Sequence, residues 1–236
     1  MSLGELFTGL GYAVGAIVFL WAAKKKGVAT EGMGLVAACG FILGILGAKL
    51  TQLVAQGWPF RVPAIAIVDP ESGGRALLGG VIFGWIGVEL AKRRLGIKRS
   101  TGDLFALALP AGEAVGRIGC YFNACCYGIP CDLPWAVYQH GAQRHPTQIY
   151  SSLTALALLG YLLWVSRKGD RPEGDLFYRY LIGFGATRFL IEFVRFRESV
   201  ILGLSPMQWF CLDLIVGGAI GLRVLSKRRP AMAEAV

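Results

Sequence analysis

Apolar stretches long enough to cross a bilayer recur along the whole chain, near residues 5–23, 33–56, 76–91, 103–122, 148–166, 175–195 and 206–225. A helix needs about 20 such residues to span the hydrocarbon, and a water-soluble fold has no use for so many of them. Seven of them within 236 residues leave no room for a separate soluble domain. The expected fold is therefore all-α, a polytopic bundle of seven transmembrane helices forming a single integral membrane domain over residues 1–236. The third stretch is short, and the fourth and sixth contain charges, so these rest on pattern as well as hydropathy. Composition agrees: 17% of residues are charged, against roughly a quarter in soluble domains. The 33 glycines follow no collagen period and suit close helix approach in lipid.

Basic residues fix the expected orientation, because Lys and Arg gather in cytoplasmic loops. Lys24, Lys25 and Lys26 follow the first stretch, and Lys92, Arg93, Arg94, Lys98 and Arg99 the third. Arg167, Lys168 and Arg171 follow the fifth, and Arg223, Lys227, Arg228 and Arg229 close the seventh. Most of the 24 basic residues thus lie at one end of an alternating bundle, which places the N-terminus outside and the C-terminus in the cytoplasm. The net charge of +9 is explained by topology, and no nucleic-acid partner is expected. The first stretch reads as a span, since its cationic cluster follows the apolar run and no cleavage site is evident.

Of six cysteines, Cys39 and Cys211 lie within spans, where a thiol acts as a small apolar side chain. Cys120, Cys125, Cys126 and Cys131 cluster at and beyond the outer end of the fourth span. An extracytoplasmic position favours disulfides among them, with adjacent Cys125 and Cys126 the least suited pair. Their spacing, with His140 or His145, matches no familiar ligand pattern, so neither a metal nor a cofactor is expected.

Ionisable groups in lipid each cost roughly 2.5–3.5 kcal/mol at the bilayer centre and mark functional sites. Arg188, Glu192 and Arg195 are spaced four and three apart, on one helix face. Glu113 and Arg117 are again four apart, and internal neutralisation accounts for them equally well. One carboxylate cannot neutralise both Arg188 and Arg195, so an anion can complete the balance. Counting from the charged ends puts Tyr12, Lys49, Arg75, Arg117 and Arg188 in the outer leaflet. Several arginines there suit a phosphodiester headgroup, since guanidinium offers a planar fork of donors, although interfacial snorkelling explains Arg75 and Arg195 too. In the longest outer segment, 120–147, His145 and Gln148 flank a Pro-Thr helix start, whereas His140 reads as exposed loop.

The runs GRIGCYFNACCYG (Gly116–Gly128), HPTQIY (His145–Tyr150) and RFLIEFVR (Arg188–Arg195) resemble, in order and spacing, the prolipoprotein diacylglyceryl transferases. Tyr12 falls where that family has a first-span WYG tyrosine, and GAKL (Gly47–Leu50) is similar to its GARL-like segment. The resemblance implies a seven-span enzyme of the bacterial plasma (inner) membrane. It implies transfer of a diacylglyceryl group from phosphatidylglycerol to the lipobox cysteine thiol of a preprolipoprotein, with glycerol phosphate released. By the same resemblance Arg117 and Arg188 stabilise the leaving phosphate and Glu192 holds Arg188. Asn123, Gly128 and Gln148 shape the headgroup pocket, Tyr12 donates a hydrogen bond, and a base must deprotonate the thiol.

The chain departs from the family pattern at four polar positions. GGRALLGG (Gly73–Gly80) stands where the family has a GGxSFHGG-like signature, with Leu78 in the histidine's place. Cys120 and Cys125 replace the asparagine and glutamate of GRIGNFxNxE, and Phe184 replaces a tyrosine. His145 is then the alternative base. A related phospholipid glyceryl or headgroup transferase with another acceptor, or a non-catalytic lipid-binding paralogue, are the competing readings.

Overall fold

The computed structural model describes residues 2–27, 32–55, 77–169, 171–196 and 201–233. Among these, seven helices follow one another: α1 (Leu3–Lys25), α2 (Met33–Ala55), α3 (Leu77–Arg94), α4 (Gly102–Phe122), α5 (Thr147–Ser166), α6 (Asp175–Ile191) and α7 (Pro206–Ala233). Each expected stretch is a helix with ends shifted by a few residues. α1, α2, α5 and α7 are long and apolar enough to cross a membrane by themselves. The helices that do not qualify on hydropathy, α3, α4 and α6, are the short one and two that carry buried charges, Asp103 on α4 and Asp175 and Arg188 on α6.

The chain forms two compact units, Met1–Ala22 with Ser100–Val236, and Ala23–Arg99. In the second, α2 and α3 pack along facing glycines, Gly44 against Gly80 and Gly84. Lys49 belongs to this unit and is buried. Arg75 lies outside the described residues, and Leu78 is in the first turn of α3.

In the first unit α1 lies close along α4. A Cβ on Gly112 would come within 2.8 Å of the Gly11 carbonyl oxygen, so backbone touches backbone there, as small residues permit in lipid. α1 opens with a capping box. Ser2 Oγ accepts from Glu5 N–H at 3.1 Å and Glu5 Oε2 accepts from Ser2 N–H at 2.8 Å.

α6 is capped from a distance. The buried Asp103 of α4 accepts from Gly174 N–H and Phe177 N–H, each at 3.1 Å, and so satisfies donors that a helix start leaves open. Asp103→Ala strands those donors. It is expected to lower stability by about 1–3 kcal/mol, read as a lower unfolding temperature in detergent, while Asp103→Asn recovers part of the loss.

The segment between α4 and α5 carries an antiparallel hairpin, β1 (Val137–Gln139) with β2 (Ala142–Arg144). Its turn, His140-Gly141, has φ of 49° and 76°, the left-handed pair that two-residue hairpins require. Sequence periodicity gives no signal for strands of three residues. α6 also ends earlier than the span pattern suggests, at Ile191. Residues beyond it bend to pair with the segment between α4 and α5, Ile129 N–H donating to Val194 O and Phe196 N–H to Tyr127 O. Arg195 is therefore not on the α6 face, but in a bridge opposite Gly128.

Candidate active site

A small cleft of about 10 Å³ opens between α4, α5 and α6, lined by Glu113, Ser151, Thr154, Phe184, Thr187 and Arg188 among others. Its three hydroxyls donate to carbonyls of their own helices: Ser151 to Thr147 O at 2.8 Å, Thr154 to Tyr150 O at 2.9 Å, and Thr187 to Gly183 O at 2.9 Å. Their protons are engaged, which leaves Arg188 as the cationic donor of the cleft.

Arg188 is 5% exposed and pairs with Glu192 Oε2 at 3.1 Å, but its Nε makes no hydrogen bond. Buried donors are nearly always satisfied, so an unsatisfied guanidinium N–H beside a cleft is prepared for an acceptor brought from outside. Glu192 is itself held in place. Its Oε2 also faces Arg195 Nη1 at 3.6 Å, and its Oε1 accepts from Ser205 Oγ at 3.4 Å.

Ser205 belongs to a second capping box, at the start of α7. Ser205 N–H donates to Gln208 Oε1 at 2.9 Å, and Gln208 N–H to Ser205 Oγ at 3.1 Å. Ser205, Pro206 and Gln208 spell this signature in the sequence.

Arg117 is fixed by two hydrogen bonds to Glu113 Oε1, from Nε at 3.1 Å and Nη2 at 2.9 Å. Glu113 lines the same cleft as Arg188, so both arginines expected from the sequence serve one corner of the α4–α5–α6 packing. Tyr180, buried and stacked 5.7 Å from Phe184, stands close enough to Glu113 and Arg117 to interact with them electrostatically. It lies two turns before Arg188 on α6, a helical spacing that could have singled it out.

The turn after α4 is strained. Ala124 and Cys126 have φ of 47° and 60°, a conformation side chains avoid. Two side chains from the start of α5 hold it: Thr147 Oγ1 donates to Cys126 O at 2.6 Å, and Gln148 Nε2 to Cys125 O at 2.8 Å. Gln148 is buried, and its Oε1 accepts no hydrogen bond, so its amide braces the loop as well as offering an acceptor. Gly128 N–H donates to His145 O at 3.1 Å, and Arg144 Nη1 to Gly128 O at 3.2 Å, which pins the signature run to the hairpin.

All six cysteines are free thiols in this structure. The turn draws Cys120, Cys125 and Cys126 together, with sulfurs within 4.8 Å of one another. Cys131 stands apart from that group, its N–H bonded to Gln143 O at 3.0 Å. Three sulfurs in one knot, two from neighbouring residues, cannot resolve into two pairs. Cys126 is the readiest of them to ionise, held far below the ordinary thiol range by hydrogen bonds from Cys120 and Cys125, with Arg195 and Arg117 adding to the effect. Cys125 is pushed up correspondingly by the same hydrogen bonds.

The other expected residues do not line the cleft. His145 packs its ring near Tyr150, with Nδ1 3.4 Å from the hydroxyl. Tyr12 is 38% exposed on α1. Asn123 caps α4, its N–H donating to Gly119 O at 3.0 Å, and crowds against Gly4 of α1.

The chain is similar to known proteins over most of its length. A family model described as prolipoprotein diacylglyceryl transferase matches residues 5–224. A phosphatidylglycerol–prolipoprotein diacylglyceryl transferase of Polynucleobacter asymbioticus is 36% identical over 197 residues, covering 77% of this chain and 74% of that one. Its namesake in Methylobacillus flagellatus is 31% identical over 247 residues, covering 97% and 94%, and that of Bordetella avium 38% over 201 residues, covering 80% and 75%. With most of its length matched, the chain belongs to the prolipoprotein diacylglyceryl transferase family.

Proposed function

We propose that this chain transfers a diacylglyceryl group from phosphatidylglycerol to the lipobox cysteine thiol of a preprolipoprotein, as the names of its relatives state for them. The acceptor thiol loses its proton, its sulfur attacks the glyceryl carbon, and the carbon–oxygen bond to phosphate breaks. Thioether and glycerol phosphate result. Charge grows on the phosphate as that bond breaks, so donors aimed at it lower the barrier. Arg188, with an unused buried N–H beside the cleft, carries this reading, and Arg117, held by Glu113 of the same cleft, adds positive charge.

On this reading all seven helices cross the bacterial plasma membrane as one integral membrane domain, with the N-terminus outside and the cleft toward the outer leaflet. The alternating basic clusters support that orientation. Asn123, Gly128 and Gln148 form the headgroup end through the braced loop, and Tyr12 reaches the acceptor segment.

Purified protein incubated with phosphatidylglycerol labelled in its acyl chains and a lipobox peptide is expected to place label on the peptide cysteine and release glycerol phosphate. Label on another acceptor would support the related transferase. Lipid retention with no turnover in either arm would leave a binding protein in place of the enzyme. The first alternative draws on Leu78, which removes the family's histidine from the third span.

A further inference from the structure

Cys120, Cys125 and Cys126 place three sulfurs within 4.8 Å of one another. A zinc-class ion bound at about 2.3 Å to each of three thiolates sets their sulfurs about 4 Å apart, so the group needs only a small contraction to close on a cation. The backbone builds the arrangement. Cys125 N–H donates to Cys120 O at 3.1 Å, Ala124 and Cys126 turn left-handed, and Thr147 and Gln148 fasten the carbonyls of Cys126 and Cys125. Such a knot is preorganised rather than a chance meeting of mobile side chains.

The donor set is entirely sulfur. His140 Nε2 is engaged 2.6 Å from Ala124 O, and His145 faces Tyr150. All-thiolate sites select soft cations such as Zn²⁺ or Cu⁺ over oxygen-loving ones. Cys125 is exposed, so one side of the knot is open to an incoming group.

We propose that Cys120, Cys125 and Cys126 bind one soft cation of the zinc class, and that its fourth position receives the acceptor thiol. The second half rests on the transfer reading above. Zinc is four-coordinate, and sites that act on a substrate keep one position open. A thiol that coordinates the ion gives up its proton to solvent, which supplies the deprotonation that Leu78 cannot. The sulfur electron pair then forms the carbon–sulfur bond while the carbon–oxygen pair leaves with phosphate, and nothing is oxidised or reduced. Four thiolates around a divalent ion carry a net charge of −2. Arg117 and Arg195, both close enough to act on Cys126, offset it.

The test uses the full-length protein in detergent, reduced, stripped with chelator and reloaded. Zn²⁺ is expected to bind at one equivalent and to protect three cysteines from alkylation, counted by intact mass, with Cys131 still reactive. Co²⁺ in its place should give a thiolate charge-transfer band that is lost in Cys120→Ser, Cys125→Ser and Cys126→Ser and kept in Cys131→Ser. An unchanged alkylation count with Zn²⁺ present would overturn the site without reliance on any variant.

Adding a lipobox peptide should shift the Co²⁺ visible bands, and the same peptide with serine for cysteine should not. Unshifted bands at saturating peptide would remove the acceptor role. Labelled-lipid turnover is scored separately. Metal and peptide-thiol coordination without any turnover would defeat the transferase reading and leave the site intact, whereas full turnover after stripping, and in Cys125→Ser, would defeat the role of the ion in transfer.

Discussion

Arg188→Lys is expected to keep the protein folded and to slow transfer about 10²–10³-fold, the cost of removing one donor from a developing oxyanion. Lysine retains the charge facing Glu192 but lacks the planar fork whose Nε is now unused. Arg188→Ala should do more damage. Arg188 and Glu192 are 5% and 7% exposed, and removing one partner from a buried pair costs about 3–5 kcal/mol, a cost reduced here because Arg195 still faces Glu192 at 3.6 Å. The double change Arg188→Met with Glu192→Leu should therefore regain much of the stability of Arg188→Ala while staying inactive. Thermal unfolding in detergent and labelled-lipid turnover measure the two effects independently. Turnover near the wild-type rate in Arg188→Lys would exclude the fork from catalysis.

Gly128→Ala is expected to displace the whole loop between α4 and α5. An added Cβ would stand 2.5 Å from His145 O, 2.6 Å from His145 Cβ and 2.8 Å from Val194 O. Backbone crowds it on two sides, and that backbone is fixed by Gly128 N–H to His145 O and Ile129 N–H to Val194 O. Overpacking of this kind costs about 1–3 kcal/mol, and the shift reaches the turn that presents Cys120, Cys125 and Cys126. Transfer should fall sharply. Gly160→Ala in α5, where nothing lies within 4 Å, is the control and should gain up to about 1 kcal/mol from helix propensity. Comparable loss in both variants would show that the effect is not local.

The helices were legible because their signal is collective: each needs only a long apolar run, and small errors at the ends do not change the element. Arg188, Glu192, Glu113 and Arg117 were legible for the opposite reason, as single residues too costly in lipid to lack a partner. The segment between α4 and α5 was less so. Its shape depends on individual hydrogen bonds, such as Thr147 to Cys126 O, and on left-handed residues that are not glycine, which no periodicity announces. Hence the sequence grouped four cysteines, whereas the turn gathers three of them and leaves Cys131 aside. Arg195 looked like a continuation of α6, because spacing alone does not reveal that the helix stops to pair with Tyr127 and Ile129. Asp103 was invisible for the same reason, since its partners are the backbone amides of Gly174 and Phe177, distant in the chain.

Sharing one carboxylate oxygen makes Arg188 and Arg195 rivals. Glu192 Oε2 stands 3.1 Å from one and 3.6 Å from the other, and a guanidinium that acquires a second anion releases some of its hold on the first. Filling the buried cleft at Arg188 therefore hands negative charge to Arg195, whose backbone is stitched to Gly128. Occupancy deep among the helices is in this way felt as tension in the rim of the molecule.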